Sequence, residues 1–545
     1  MRNWVPFLAV VHKTFDFGAN LGLCQSDNNV KEAFKKMILL IYPPVAKPCE
    51  PPPGLARLAG ALNHHGMPNK VVDFNVAGIR CLLQQPVAGK DTWTYRAASH
   101  LQENLAAMQH RGIYQNIDRY KRTVMDINRV LHRLDGIENS QVSLANYQDA
   151  HLLPVRSTDL IKASETFEKN PFYPFFNAQL MFLMKKFRPD IVGFSLNYLS
   201  QAVCTFAMIG FLRNVSSDIK IIAGGGLITT WMRNPVWKNP FDGLVDNFVA
   251  GAGEKTLLES VGVIEGEQFY TPDYSGFKRE QYLSPGIILP YSASSGCYWN
   301  RCSFCPEKAE ATPYNPVPGD RVIRDLELLI EKNRPDLVHF LDNAISPALL
   351  KRLVADPPKA GWYGFARISK YLADPNFCFE LKQAGCVMLK LGLESGDPDV
   401  LDGMQKGIDP DLASTVLRNL KKAGIATYVY LLFGTVFETL DAARRTLDFT
   451  VAHAGEIGFL NLAIFNLPAY GPDVDTLVTE DFYTGDLGLY RAFVHPKGWH
   501  RKRVRQFLDR EFKRHPAVAA ILKNDPPVFT SNHAPFFADI TKTTS

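Results

Sequence analysis

Hydrophobic positions in this chain fall into short unbroken runs of strand length. Each is followed by a loop marked by glycine or proline and then by apolar residues at helical spacing. Met37-Ile38-Leu39-Leu40-Ile41-Tyr42 is the first run, and prolines at 43, 44, 48 and 51–53 stiffen the loop after it. Leu55, Leu58, Ala59 and Leu62 then recur with helical period up to Gly66, and Val71-Val72-Asp73-Phe74 predicts a second strand. A polar, helix-favouring stretch at about 92–135 breaks the alternation, within an insertion placed at about 85–185. The pattern resumes with Ile191-Val192-Gly193-Phe194-Ser195, a helix at about 201–213, and Ile219-Lys220-Ile221-Ile222-Ala223 ending in Gly224-Gly225-Gly226. Asn247-Phe248-Val249-Ala250 ends in Gly251-Ala252-Gly253-Glu254. Strands alternating with helices predict a parallel, doubly wound sheet whose ligands sit at the carboxyl ends of the strands, where these glycines stand.

A second alternating series runs from 286 to 480, with candidate strands at 287–289, 337–341, 361–366, 387–393, 426–433 and 460–465. Six units are too many for an appendage and too few for an eight-fold barrel, which predicts a partial (βα)6 barrel with its chemistry at the C-terminal mouth. The expected architecture is α/β: an extension at 1–36, a doubly wound domain at 37–275, the partial barrel at 286–480 and a mostly helical cap at 481–545.

Composition narrows the picture. The 545 residues suggest about three or four domains, or two or three if one is a large barrel. Hydrophobic residues at 46% and charged residues at 21% exclude disorder as the main state. A net charge of +5 is too small to define a nucleic-acid binder. Residues 191–212 carry no charge, but Asn197, Ser200, Gln201 and Thr205 interrupt them, so they read as a strand followed by a helix rather than an integral membrane segment. The apolar run at 4–11 is followed at once by His12 and Lys13, which argues against a signal peptide. The expectation is a cytoplasmic protein. Between 491 and 514, nine lysines and arginines face two acids, which reads as a basic helix covering the open side of the barrel or as a dock for an anionic substrate, a peptide or a membrane surface.

Nine cysteines are present, and three fall within nine residues, as Cys297-Tyr298-Trp299-Asn300-Arg301-Cys302-Ser303-Phe304-Cys305 after the first barrel strand. Such clustering points to a reducing compartment and a metal or redox site rather than a disulfide framework. A structural zinc site wants four closed ligands, and Glu307, the nearby carboxylate, reads as a solvated loop charge. Three thiolates on an iron–sulfur cluster leave one iron free to bind a small molecule.

This loop and the strand pattern behind it resemble the radical S-adenosylmethionine (SAM) superfamily, although the spacing is C-x4-C-x2-C where C-x3-C-x2-C is usual. The resemblance implies that Cys297, Cys302 and Cys305 hold a [4Fe-4S] cluster. Leu391-Gly392-Leu393-Glu394-Ser395-Gly396, followed by Met404-Gln405-Lys406-Gly407, is similar to the superfamily's fourth-strand segment. Glu394 and Ser395 are thereby implied as SAM contacts, Phe304 as a neighbour of the adenine, and Arg367 as facing the SAM carboxylate or the substrate. The second strand ends in Asp342-Asn343 where the superfamily has Gly-Gly-Glu, and Gly434-Thr435-Val436 lacks the Pro-Gly often found at the fifth.

The N-terminal pattern resembles the cobalamin-binding domain found ahead of such barrels, which implies corrinoid contacts from Pro53, Ser195, Gly224, Gly225, Gly253 and Glu254. The Asp-x-His-x-x-Gly motif that supplies a lower axial histidine in other corrinoid enzymes is absent, and His64 and His65 read as solvent-facing. Together the resemblances imply a class B-like radical SAM methyltransferase, working anaerobically on an unactivated carbon of a small-molecule or peptide substrate. Its electron donor would be a flavodoxin or ferredoxin. A radical cyclisation, rearrangement or oxidation, and a non-catalytic corrinoid or metal carrier, stay open as alternatives. The residues that act directly on the substrate are not identified by any motif.

Overall fold

The computed structural model describes residues 35–527 and 533–538, apart from 90, 138, 265, 267 and 268. The predicted extension at 1–36, with Cys24, lies almost wholly outside the described residues.

The N-terminal sheet is five-stranded and wholly parallel. Its order is Asn69–Asp73, Ile38–Tyr42, Ile191–Ser195, Lys220–Gly224, Asn247–Val249. Every residue of Ile38–Tyr42 and Ile191–Ser195 is buried, because helices cover both faces, and this is why their sequences are continuous apolar runs. Between these two strands the chain changes direction across the sheet, so a crevice opens at their carboxyl ends. The helix Pro53–His64 starts with proline at its first position, where a missing N–H costs nothing. Residues 191–212 divide as expected into a strand and the helix Leu199–Val215. Among the described residues no helix is long and apolar enough to cross a membrane.

The segment between the second and third strands contains the helices Thr92–Ser99, Leu101–Met108, Ile117–Leu131, Ser157–Glu165 and Tyr173–Phe187. It also holds an antiparallel hairpin, Ser140–Val142 with Tyr147–Asp149, whose three-residue strands are too short to show an alternating pattern.

The second sheet has six parallel strands in chain order: Ile288–Tyr291, Leu337–Ile345, Gly361–Ala366, Cys386–Glu394, Ala426–Phe433 and Phe459–Ile464. Strand periodicity sorts its side chains. Val338, Phe340, Leu389, Leu391 and Val429 pack in one core with helix residues such as Leu326, Leu417 and Leu420. The opposite parity is aromatic and polar: His339 stacks on Tyr363 at 4.4 Å, and Phe365 and Tyr428 lie 5.0 and 4.7 Å from Tyr430. At the other end His533 stacks on Tyr428 at 4.4 Å.

The cap differs in part from expectation. Leu467–Pro468, Tyr490–Phe493 and Thr479–Asp481 form a small antiparallel sheet, so the basic segment begins as a strand and becomes helical only at Arg501–Phe507. Trp499 and Phe507 are buried against the barrel, with the Trp499 indole N–H donating to Glu438 at 2.7 Å. Apolar anchoring seats this segment together with polar ties, among them the Arg444–Glu511 pair at 3.1 Å.

Candidate active site at the barrel mouth

Cys297, Cys302 and Cys305 lie half-buried on the loop that follows the first barrel strand. Gly296 enters this loop with φ of 68°, and a Cβ there would stand 2.5 Å from the Pro313 carbonyl oxygen, so only glycine fits. The loop is tied down at its entrance by the second strand: Asp342 accepts from the Ala293 N–H at 3.0 Å and from the Ser294 hydroxyl, and Asn343 donates to the Gly296 carbonyl at 3.3 Å. The residues that stand where the superfamily has Gly-Gly-Glu therefore brace the cysteine loop.

Its far side is tied to the turn after the fourth strand. The Ser303 N–H donates to the Met404 carbonyl at 3.0 Å, and the Trp299 indole N–H to that of Gln405 at 3.2 Å. Arg367, just past the third strand, places its guanidinium 3.7 Å from the Trp299 ring centroid and donates to the Gly407 carbonyl at 2.9 Å. Burial pushes the Cys302 thiol up, but Lys406 and Arg367 draw it back toward the thiolate. Cys305 is raised to about 11 by burial.

Among the described residues no three His, Cys, Asp or Glu side chains converge on a point suited to one metal ion. Three thiols on one loop fit a cluster, because each thiolate on an iron–sulfur cube binds a different iron. Two orphaned atoms point the same way: the Ser303 hydroxyl and Glu307 Oε2 are buried without a hydrogen-bond partner. One oxygen of Glu307, read from sequence as a solvated charge, is thus withdrawn from solvent while the residue stays partly exposed. It sits in the short helix Pro306–Ala309, lining a cavity beside Glu310, whose carboxylate accepts from the Thr230 hydroxyl at 2.6 Å.

Glu394 ends the fourth strand with φ of 68°, a strained conformation for a residue with a side chain. Its carboxylate pairs with the Lys406 ammonium at 2.9 Å, over Gly392, whose missing side chain leaves the space the pair occupies. The Lys406 ammonium also lies 5.6 Å from the Phe304 ring, so Phe304, Arg367 and Glu394 border one patch of the mouth. Ser395 is fully buried, its hydroxyl bonded to Thr446 at 3.1 Å and accepting from the Asp397 N–H at 3.1 Å. It is engaged within the fold, by a hydroxyl and a backbone N–H where Glu394 is held by the Lys406 ammonium. Trp299 and Lys406 stand in segments whose sequence is similar to the superfamily's, but neither carries a role legible from sequence.

Facing the loop is the carboxyl edge of the N-terminal sheet. A cavity of about 460 Å³ has Ser195, Gly224, Gly225, Gly253 and Glu254 on one wall and Ser292, Ser294, Ser295 and Gly296 on the other. Gly225, at φ of 109°, passes so close to the Leu196 carbonyl that a Cβ would stand 2.5 Å away. Glu254 is paired with Arg57 at 2.6 Å. Pro53 lies apart, on a separate cavity with Tyr42 and Tyr198. His64 is exposed as expected, whereas His65 is half-buried and bonded to the Tyr270 hydroxyl at 3.0 Å.

Residues 291–450, which hold the cysteine loop and the fourth strand, match the Radical SAM superfamily. This part of the chain is a radical SAM domain. The chain is 23% identical over 307 residues to an uncharacterized methyltransferase of Pyrococcus horikoshii, covering 49% of this chain and 65% of that one. It is 28% identical over 188 residues to the bacteriochlorophyllide d C-12(1)-methyltransferase of Chlorobaculum tepidum, covering 32% and 40%. These matches span about two fifths to just under two thirds of the relatives' own length. Among solved structures it is similar to the radical SAM methyltransferase TsrM of Kitasatospora setae with cobalamin and a [4Fe-4S] cluster bound, at 17% identity and a TM-score of 0.48, over 81% and 74% of the two chains.

Proposed function

We propose that the protein is a cobalamin-dependent radical SAM methyltransferase acting on an unactivated carbon, with Cys297, Cys302 and Cys305 as cluster ligands. The observation that carries this reading is the shared cavity: the glycine-lined edge of a doubly wound sheet opens directly onto the loop that bears the cysteines. When bound, the cluster supplies the electron that cleaves SAM to a 5'-deoxyadenosyl radical, and the corrinoid supplies the methyl group.

The chain's own residues bind and orient. Lys406 and Arg367 stabilise the Cys302 thiolate electrostatically, and Trp299 packs on the Arg367 guanidinium beside the cysteine loop. Glu394, held by Lys406, offers its second carboxylate oxygen to ligand hydroxyls at the mouth. Gly224, Gly225 and Gly253 let a corrinoid tail approach the backbone, and Arg57 fixes Glu254 at the rim. Ser195 stands among them, its hydroxyl accepting from the Asn197 side chain at 3.1 Å. The cavity's lining contains no histidine, so a corrinoid there would lack a strong lower ligand from that wall.

The test is anaerobic reconstitution with SAM, hydroxocobalamin and a reductant, followed by product analysis. Methyl transfer yields S-adenosylhomocysteine together with 5'-deoxyadenosine, whereas 5'-deoxyadenosine alone would favour cyclisation, rearrangement or oxidation.

A further inference from the structure

Below the mouth, the barrel interior holds a group of ionisable residues that the cofactor site does not use. Lys390, midway along the fourth strand, is 2% exposed. Its ammonium donates to His339 Nε2 at 2.8 Å, and His339 Nδ1–H donates to the Glu50 carboxylate at 2.9 Å. Glu50 comes from the proline-rich loop after the first strand of the N-terminal sheet, which reaches across to cover the barrel's inner face. The bonding fixes the imidazole as the neutral Nδ1–H tautomer, and burial holds His339 below its usual pKa despite Glu50.

These groups border a cavity of about 370 Å³ whose walls include Tyr42, Tyr198 and Phe365. Lys47 also lines it, on the same loop as Glu50. The Lys390 ammonium lies 5.2 and 5.1 Å from the Tyr363 and Phe365 rings, and a single hydrogen bond to His339 leaves two N–H donors for a ligand. A buried ammonium hydrogen-bonded to an imidazole in an aromatic chamber, with its carboxylate one residue further off, is better solvated when an anion joins it. Burial accordingly lowers Lys390 to about 8.

We infer that this chamber is the substrate pocket, and that it takes a molecule with a planar apolar body and a carboxylate anchored on Lys390. The term substrate rests on the radical SAM reading; the preference for an anion does not. Full-length, cluster-reconstituted protein titrated calorimetrically with 1-naphthoate and with its neutral counterpart 1-naphthamide tests this without SAM or corrinoid. Naphthoate should bind about ten- to a hundredfold more tightly, the scale of one charged hydrogen bond. Lys390→Met should abolish the preference, and Lys390→Arg, which keeps the charge, should retain it. Equal affinities in the wild type, binding of neither probe, or a preference that survives in Lys390→Met would overturn the inference. A preference found in protein that fails to cleave SAM would leave the pocket standing and remove the radical reading alone.

Discussion

Glu394 and Lys406 show how one residue's setting decides its role. The ion pair is nearly buried, yet only one carboxylate oxygen is used by Lys406, on a residue whose backbone is strained where the strand ends. Glu394→Gln should weaken SAM binding by about 1–3 kcal/mol while leaving iron content unchanged, as read by calorimetry on reconstituted protein. Undiminished affinity would make the residue part of the scaffold. Glu438 carries a prediction of another kind. Burial raises it from 4.5 to about 7. Between these values the folded chain keeps a proton that the unfolded chain releases, so this group's contribution to stability is full at low pH and falls as pH rises toward 7. The fall is on the order of 3 kcal/mol, and Glu438→Gln, always neutral, should lack it in denaturant titrations at about pH 5 and about pH 7.5.

Elements explain why some features were legible in sequence and others were not. The long parallel strands were, because burial on both faces writes them as unbroken apolar runs, and the six barrel strands follow in the same order as their sequence runs. The cap's small sheet was not, since Tyr490–Phe493 pairs two short partners and its half-exposed residues carry no clear period. The cysteines were visible as a cluster, but the bracing of their loop by Asp342 and Asn343 depends on contacts 47 to 49 residues apart that no local pattern records. The same holds for Glu50 and His339, separated by 289 residues. Local backbone demand is most exacting at Gly296. Gly296→Ala should strain the loop by about 1–3 kcal/mol, too little to unfold the barrel, and should lower iron and sulfide incorporation while leaving the circular dichroism spectrum unchanged. Normal cluster content in that variant would mean that the loop tolerates rearrangement.

At the scale of the whole molecule, the N-terminal sheet and the barrel meet carboxyl edge to mouth, and the proline-rich loop, the glycine loops and the cysteine loop share two adjoining chambers. In the proposed reading one chamber offers glycine backbone to a corrinoid tail, and the other offers Lys390 and aromatic walls to an anionic ligand. Both open on positions that separate elements of the chain supply, so neither could be assembled from a single motif. The central claim is that this junction brings a corrinoid to an iron–sulfur cluster. The most direct measurement is the absorption spectrum and metal content of protein isolated anaerobically from cells supplied with hydroxocobalamin. The account predicts one tightly held corrinoid per chain together with a full cluster, with the cluster, but not the corrinoid, lost when Cys297, Cys302 and Cys305 are all changed to alanine. Protein that binds a full cluster yet holds no corrinoid, or keeps its cluster in the triple variant, would contradict it.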